Sequence, residues 1–332
     1  MTGVEQQGLE ELDMLFYAGS RRPRPLNFIF CADIVGMRLT VYNALFTGTV
    51  AILIIIVARE VMYEREVKKP IELYKIPFHI PRKAKQQEEV RNNVPLVIYE
   101  SWGSHEVPKG MRDNIYALLE ANPEFDYYLY SDEDCAAFIE DNFDKEVLDA
   151  FHSLKPGAFK SDLWRYCILY KMGGVYLDIK YYSLVPLINI IDDNQTVYVN
   201  DTGASILKTV RGDFSNGYCI YNGFLISPPK NEIFKKCIDD IVHSSQNRLY
   251  KRNDLDVTGP CLLGSVVEAQ YSSDYIKDSK FSYVHGFLGM DHNISYKGEA
   301  ILKHYESYRL EQVKSQKTKH YGVLYAKRDI YA

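Results

Sequence analysis

The chain has 332 residues, 46% apolar and 25% charged, ordinary globular proportions that exclude wholesale disorder and leave room for a large core. Its net charge of −5 excludes a general nucleic-acid binder, because no basic surplus exists to neutralise phosphates. Tyrosine is abundant, with 27 residues; such rings suit stacking on sugars, and they equally fit a plain bias of composition.

Residues 1–38 read as a polar tail that includes "RRPRP" and closes on an interrupted apolar lead-in, "LNFIFCADIVGM". Residues 39–58, "LTVYNALFTGTVAILIIIVA", carry no charge and are bracketed by Arg38 and Arg59. A helix of that length rises about 30 Å, enough to cross a bilayer. The segment lies too far from Met1, without a small-residue cleavage site, for a removable signal peptide. The expectation is a single-pass membrane protein, type II in Golgi or ER with a lumenal domain. Arginines and lysines flank both ends almost equally, so the charge rule leaves the orientation open. Sequons at Asn194, Asn200 and Asn293 would be usable if that part is lumenal. Residues 59–93, charged and punctuated by prolines, read as a stalk.

Cys135, Cys167, Cys219, Cys237 and Cys261 follow the span without any C-x-x-C pair, so zinc spacing is absent. One or two disulfides in a lumen and buried free thiols both fit, and spacing does not choose a pairing.

From Val94 the pattern changes to alternating strands and helices. "PLVIYES" (95–101) is a short apolar run after a proline and reads as a buried strand. "MRDNIYALLEANP" reads as a helix stopped by Pro123, and "FDYYLYSD" alternates as a strand. Ser131 and Asp132 then cap the helix "EDCAAFIEDNF". "KSDLWRYCILYKMGG" reads as a helix ended by paired glycines, and "VYLDI" as the next strand. This order predicts an α/β domain over 94–332 with a mostly parallel, Rossmann-related sheet. In such sheets ligands lie beyond the carboxyl ends of the strands, where Asp178 falls.

Asp162 and Arg165 are three residues apart and share a helix face, while Leu163, Cys167 and Tyr170 suit packing on the sheet. Taken alone, the pair reads as a surface salt bridge of little worth. Beside Asp178 it becomes two acids and a guanidinium around one crevice. A guanidinium suits a phosphate or a pair of hydroxyls, and the acids suit sugar hydroxyls or a divalent ion.

The block "AFKSDLWRYCILYKMGGVYLDIK" resembles the signature of the Asp-x-Asp sugar transferases of glycosyltransferase family 32. That family includes fungal outer-chain and inositol-phosphoceramide mannosyltransferases. "VPLVIYESWG", "NPEFDYYLYSDEDCAAFI", "NGFLISPPKNEIFKKCI" and "VTGPCLLGSV" resemble its other blocks in order, so the likeness runs from about Val94 to Gly264. It implies a GT-A fold and retaining transfer of a hexose from GDP-mannose or a UDP-sugar to a glycan or glycolipid. By the same resemblance, Trp102 lies near the nucleotide base, with a core indole as the bland alternative. Asp162 and Arg165 hold sugar hydroxyls, and Asp178 lies near the ribose and a manganese or magnesium ion. Asn222 approaches the reacting centre, and Thr258, Gly259 and Pro260 shape the acceptor side.

The departing nucleoside diphosphate gathers negative charge, so a cation must meet it. Relatives use a metal held by the motif's second acid, but Lys180 stands there in this chain. Three readings stay open. The ammonium of Lys180 sits on the diphosphate; Asp178 holds a divalent ion with Asp291 or His292; or the site is degraded. In the last case the chain is a catalytically silent nucleotide-sugar or carbohydrate binder. Asp192 and Asp193 read as a solvated turn between strands. In the C-terminal segment, His320 with Tyr321 or Tyr305 with Arg309 are candidates for closing the donor site, against a plain packed final helix.

Overall fold

The computed structural model describes residues 50, 54–55, 57–59, 61–83, 89–201, 219–272, 275, 279–284, 292–316 and 318–332. The chain divides into two compact units, Met1–Glu66 and Val67–Ala332. In the first, the described residues are helical.

The second unit opens with β1 (Leu73–Lys75), β2 (His79–Ile80) and the pair β3 (Val90–Arg91) and β4 (Val94–Pro95). Then come β5 (Val97–Ser101), β6 (Glu106–Pro108) and helix α1 (Lys109–Ala121). Strand β7 (Asp126–Tyr130) leads through Ser131 into α2 (Asp132–Asn142). Ser131 and Asp134 exchange backbone and side-chain bonds in a capping box, which satisfies two otherwise orphaned amides. Helices α3 (Lys145–Ser153) and α4 (Gly157–Met172) precede β8 (Gly174–Leu177). The paired glycines stop α4 as expected. Gly173 takes φ of +68°, and a Cβ there would lie 2.6 Å from the Pro229 nitrogen, so a side chain is excluded by both conformation and space.

After β8 the chain runs through β9 (Tyr181–Ser183), α5 (Leu187–Asp193), β10 (Val197–Asn200), β11 (Ile220–Ser227) and α6 (Glu232–Gln246). It finishes with α7 (Asp254–Val257), α8 (Pro260–Tyr271), the strands β12 (Phe281–Val284), β13 (Asn293–Tyr296) and β14 (Glu299–His304), then α9 (Tyr308–Ser315) and α10 (Tyr321–Ala326).

The main sheet has the order β2-β7-β5-β8-β11-β10-β12-β13-β14-β9. It is mixed, which corrects the expectation of a mostly parallel sheet. Among the described strands, parallel pairing is confined to β7–β5, β5–β8 and β10–β12; the other neighbours are antiparallel. Helical crossovers before β8 allow parallel pairing. After β8 only residues 178–180 separate it from β9, too short a link for a crossover of a dozen or more residues. β9 therefore pairs with β14 at the far edge, and β12, β13 and β14 form a meander.

Alternation along the strands supplies a core to each face. Val175, Leu177, Phe224 and Ile226 join α1 and α5 on one side, while Tyr176 and Leu225 join α2, α3, α4, α6 and α8 on the other. A disulfide joins Cys219, just before β11, to Cys261 in the first turn of α8, while Cys135, Cys167 and Cys237 are buried free thiols.

The membrane span expected over 39–58 needs correction, and with it the single-pass Golgi or ER placement. Among the described residues no helix is long and apolar enough to cross a membrane. Most of 39–58 lies outside the described residues, and the helical residues 61–68 that follow carry Glu64, Arg65, Glu66 and Lys68, so no apolar run extends through them.

Candidate active site

β5, β7 and β8 run in parallel, so their carboxyl ends open on one edge. Asp178 extends β8 by one residue, its amide donating to the Gly223 carbonyl at 2.9 Å. In a strand, residues i and i+2 share a face. The Tyr176 hydroxyl accordingly donates to Asp178 Oδ1 at 2.9 Å, on the side that α4 covers.

α4 departs from the two-faced helix expected from its sequence. Residues 162–169 are all buried, charged ones included, because the helix packs against both the sheet and α6. Asp162 and Arg165 are only 7% and 6% exposed, so they form no surface salt bridge. Asp162 Oδ1 accepts from the Asn222 amide at 2.9 Å and lies 3.3 Å from Arg165 Nη2, while Oδ2 accepts from the Thr258 hydroxyl at 2.7 Å. Arg165 donates through Nη1 to the Asn222 carbonyl at 2.7 Å, and its guanidinium lies 4.4 Å from the centroid of the Tyr176 ring. Asn222 also donates to the Tyr166 hydroxyl at 3.0 Å. Asp162, Arg165, Asn222 and Thr258 thus meet in one network whose buried polar groups are mutually paired.

Lys180 sits in the turn after β8. Its ammonium lies 2.8 Å from Asp178 Oδ2 and over the rings of Tyr181 and Tyr221 at 5.4 and 5.5 Å. The turn is held from two directions. Buried Asn114 of α1 donates to the carbonyls of Ile179 and Tyr181, and the Tyr305 amide donates to the Lys180 carbonyl. Arg165 Nη1 completes the surroundings of Asp178 at 3.6 Å, and the Tyr221 hydroxyl lies 3.3 Å from its Oδ2.

These contacts set the charges. Burial opposes ionisation of Asp178, but Lys180 and Arg165 overcome it and bring the carboxyl down to about 2. For Asp162 burial prevails over Arg165, Thr258 and Asn222, and its pKa is raised. Burial also disfavours the Arg165 charge, yet Tyr176, Asp162 and Asp178 hold it more firmly protonated than usual. His304 is kept neutral, its pKa lowered to about 3 by burial, Lys180 and His292. Glu100, fully buried on β5, is raised by burial to about 8, against the bond from Tyr127, and among the described residues its Oε1 has no hydrogen-bond partner.

The other sequence candidates are placed as follows. Trp102 is half-buried against the core, its amide donating to the Tyr130 carbonyl at 3.0 Å. Gly259 approaches Asp162, while Pro260 begins α8. Asp291 lies outside the described residues; His292 stacks on His304 with centroids 5.1 Å apart. Asp192 and Asp193 close α5 rather than a loop between strands, facing Arg91 and Lys297 in partly exposed pairs. Tyr305 touches the Lys180 turn, whereas His320 caps α10 and Tyr321 lies near Phe159. Sequence reasoning missed Tyr176, Tyr221, Asn114 and His304. Strand alternation offered a signal for Tyr176; the others arrive from distant elements with no local mark.

Residues 108–197 match a family model described as a glycosyltransferase sugar-binding region containing the DXD motif. Over that range the chain is similar to DXD-type sugar-binding regions of glycosyltransferases, fungal mannosyltransferases among them. Inositol phosphoceramide mannosyltransferase 2 of Schizosaccharomyces pombe is 31% identical over 86 residues, covering 26% of this chain and 25% of that protein. A mannosyl phosphorylinositol ceramide synthase of Saccharomyces cerevisiae is 25% identical over 54% of this chain and 43% of its own length. The first of these matches therefore spans about a quarter of its relative. Among solved structures, the PaToxG glycosyltransferase aligns at 12% identity and a TM-score of 0.37 over 83% of this chain and 92% of its own. The matched range contains Asp162, Arg165, Asp178 and Lys180, and a DXD-type motif is consistent with divalent-cation-dependent catalysis. Among the described residues no group of three or more His, Cys, Asp or Glu side chains is placed to hold a metal ion.

Proposed function

We propose that the protein is a hexosyltransferase of the glycosyltransferase family 32 type. It would move a sugar from GDP-mannose or a UDP-sugar to a hydroxyl of a glycan or glycolipid, with retention at the anomeric carbon. The observation that carries this reading is the convergence of Asp162, Arg165, Asp178 and Asn222 beyond the β8 carboxyl end, within or beside the segment that matches a sugar-binding region. A sugar presents neighbouring hydroxyls, which paired acids accept from and a guanidinium donates to. On this reading Asp162 and Arg165 orient the donor sugar, Asp178 fixes the end nearer the ribose, and Asn222 lies nearest the reacting carbon. Trp102 offers a ring face to the base.

The test is a donor screen on the full chain with UDP- and GDP-sugars, read by product mass, with Asp178→Asn alongside. Transfer or donor hydrolysis that the variant loses supports the reading. Binding without turnover under every condition would identify a silent nucleotide-sugar binder instead.

A further inference from the structure

The carboxylate expected to hold a divalent ion is already engaged. Asp178 Oδ2 meets the Lys180 ammonium at 2.8 Å and the Tyr221 hydroxyl at 3.3 Å; Oδ1 accepts from Tyr176 at 2.9 Å and lies 3.6 Å from Arg165. All four neighbours are donors and two are cations. A hard divalent ion needs several oxygen ligands around it, and no supporting cluster exists among the described residues. The ion would also have to displace an ammonium from a carboxylate that Arg165 continues to face. Asp178 and Asp162 are each already faced by a fixed cation, Lys180 and Arg165 for the first and Arg165 for the second. These residues do not fit a bound divalent cation.

They do fit a fixed organic cation. Asn114 and Tyr305 hold the backbone of the 178–181 turn, and Asp178 with the Tyr181 and Tyr221 rings holds the side chain. An ammonium has three donors, so bonding to Asp178 leaves others for a ligand oxygen. We propose that Lys180 is the positive charge that meets the departing diphosphate, and that transfer by this protein is independent of divalent metal. The bond between the sugar's anomeric carbon and the β-phosphate oxygen breaks, and its electron pair leaves on that oxygen beside the ammonium. The acceptor's hydroxyl oxygen bonds to the anomeric carbon, and its proton passes to the released diphosphate. Lys180 stays protonated throughout, and no outside reactant is needed.

This inference rests on the nucleotide-sugar reading, but the two fail differently. Wild-type full chain is assayed with the active donor in excess EDTA and then with added Mn2+ or Mg2+, and UDP and GDP binding is measured by calorimetry in EDTA. Turnover unchanged by chelation is the expected result; turnover that vanishes in EDTA and returns with metal overturns the inference while leaving the function standing. Absence of turnover in both conditions defeats the functional reading itself. Lys180→Ala should weaken nucleoside diphosphate binding in EDTA by about tenfold to a hundredfold, the worth of a charged hydrogen bond, and Lys180→Arg should recover part of it. Lys180→Asp, which restores a second acid, should make turnover respond to Mn2+. Nucleotide affinity indifferent to Lys180→Ala also overturns the inference.

Discussion

The side-chain amide of Asn222 donates to Asp162 Oδ1 at 2.9 Å across a separation of 60 residues, tying strand β11 to helix α4. The bond makes Asp162 a structural hub as well as a candidate sugar contact. Its other oxygen takes Thr258, and Arg165 lies against it. Removing the carboxylate in Asp162→Ala leaves a buried guanidinium undercompensated and two donors unsatisfied. Breaking a buried ion pair from one side typically costs about 3–5 kcal/mol, so urea unfolding should show a loss in that range. Thr258→Val removes one donor and should cost about 1 kcal/mol. Equal, small losses for both variants would show that the network bears no weight in folding.

Gly223 gives a test of the site that acts through space alone. A Cβ at this position would collide with Asp178 Oδ2 and the Tyr221 hydroxyl. The Gly223 carbonyl also accepts from the Asp178 amide at 2.9 Å, so the glycine brings β11 close to the carboxylate. Gly223→Ala should push Asp178 off its bonds and reduce turnover by at least about tenfold while far-UV circular dichroism stays native; misplacing a reacting group by about 1 Å can cost a hundredfold. Normal turnover in this variant would remove Asp178 from the active centre.

Much of this arrangement was legible in the chain before any coordinates. Hydrophobic runs, the Ser131 cap and the paired glycines located the elements around α4 and β8, since these signals are local. The sheet's mixed character was not legible, because pairing after β8 depends on where a three-residue turn sends the chain. Burial of Asp162 and Arg165 was also hidden. Three-residue spacing shows that they share a helix face, but not that α6 lies over it. The contact between Lys180 and Asp178 lay in plain view as residues two apart, while its support from Asn114 and Tyr305 comes from elements far away in sequence.

The disulfide between Cys219 and Cys261 lies three residues before Asn222 and three after Thr258, the two residues that bond both oxygens of Asp162. It closes a loop of 42 residues, for which loop entropy gives about 4 kcal/mol of stabilisation. Cys219→Ser combined with Cys261→Ser should lower the melting temperature by several degrees. Sugar-donor affinity should fall with it at a temperature where the variant remains folded. A lowered melting temperature with unchanged affinity would confine the crosslink to stability.

Glu100 predicts a pH dependence of stability with a definite sign. Its carboxyl, ordinarily near 4.5, rises to about 8 in the folded protein, chiefly through burial. Below 4.5 both folded and unfolded states hold the proton, so its contribution is fully present. Between 4.5 and 8 the unfolded chain releases the proton while the folded one retains it, and stability falls by about 1.4 kcal/mol per pH unit. Glu100→Gln keeps a carbonyl acceptor for Tyr127 and removes the titration. Any fixed cost of the new amide beside the unpartnered Oε1 site is the same at every pH, so the slope is the readout. Chemical denaturation from pH 5 to pH 8 should show the variant gaining steadily on the wild type; parallel curves would mean that Glu100 is already ionised in the folded protein. Asp178, lowered to about 2, contributes stability lost only in stronger acid. His304, lowered from 6.5 to about 3, produces a loss as pH falls below 6.5, opposite in sign to Glu100 and common to both curves. The difference between variant and wild type therefore isolates Glu100.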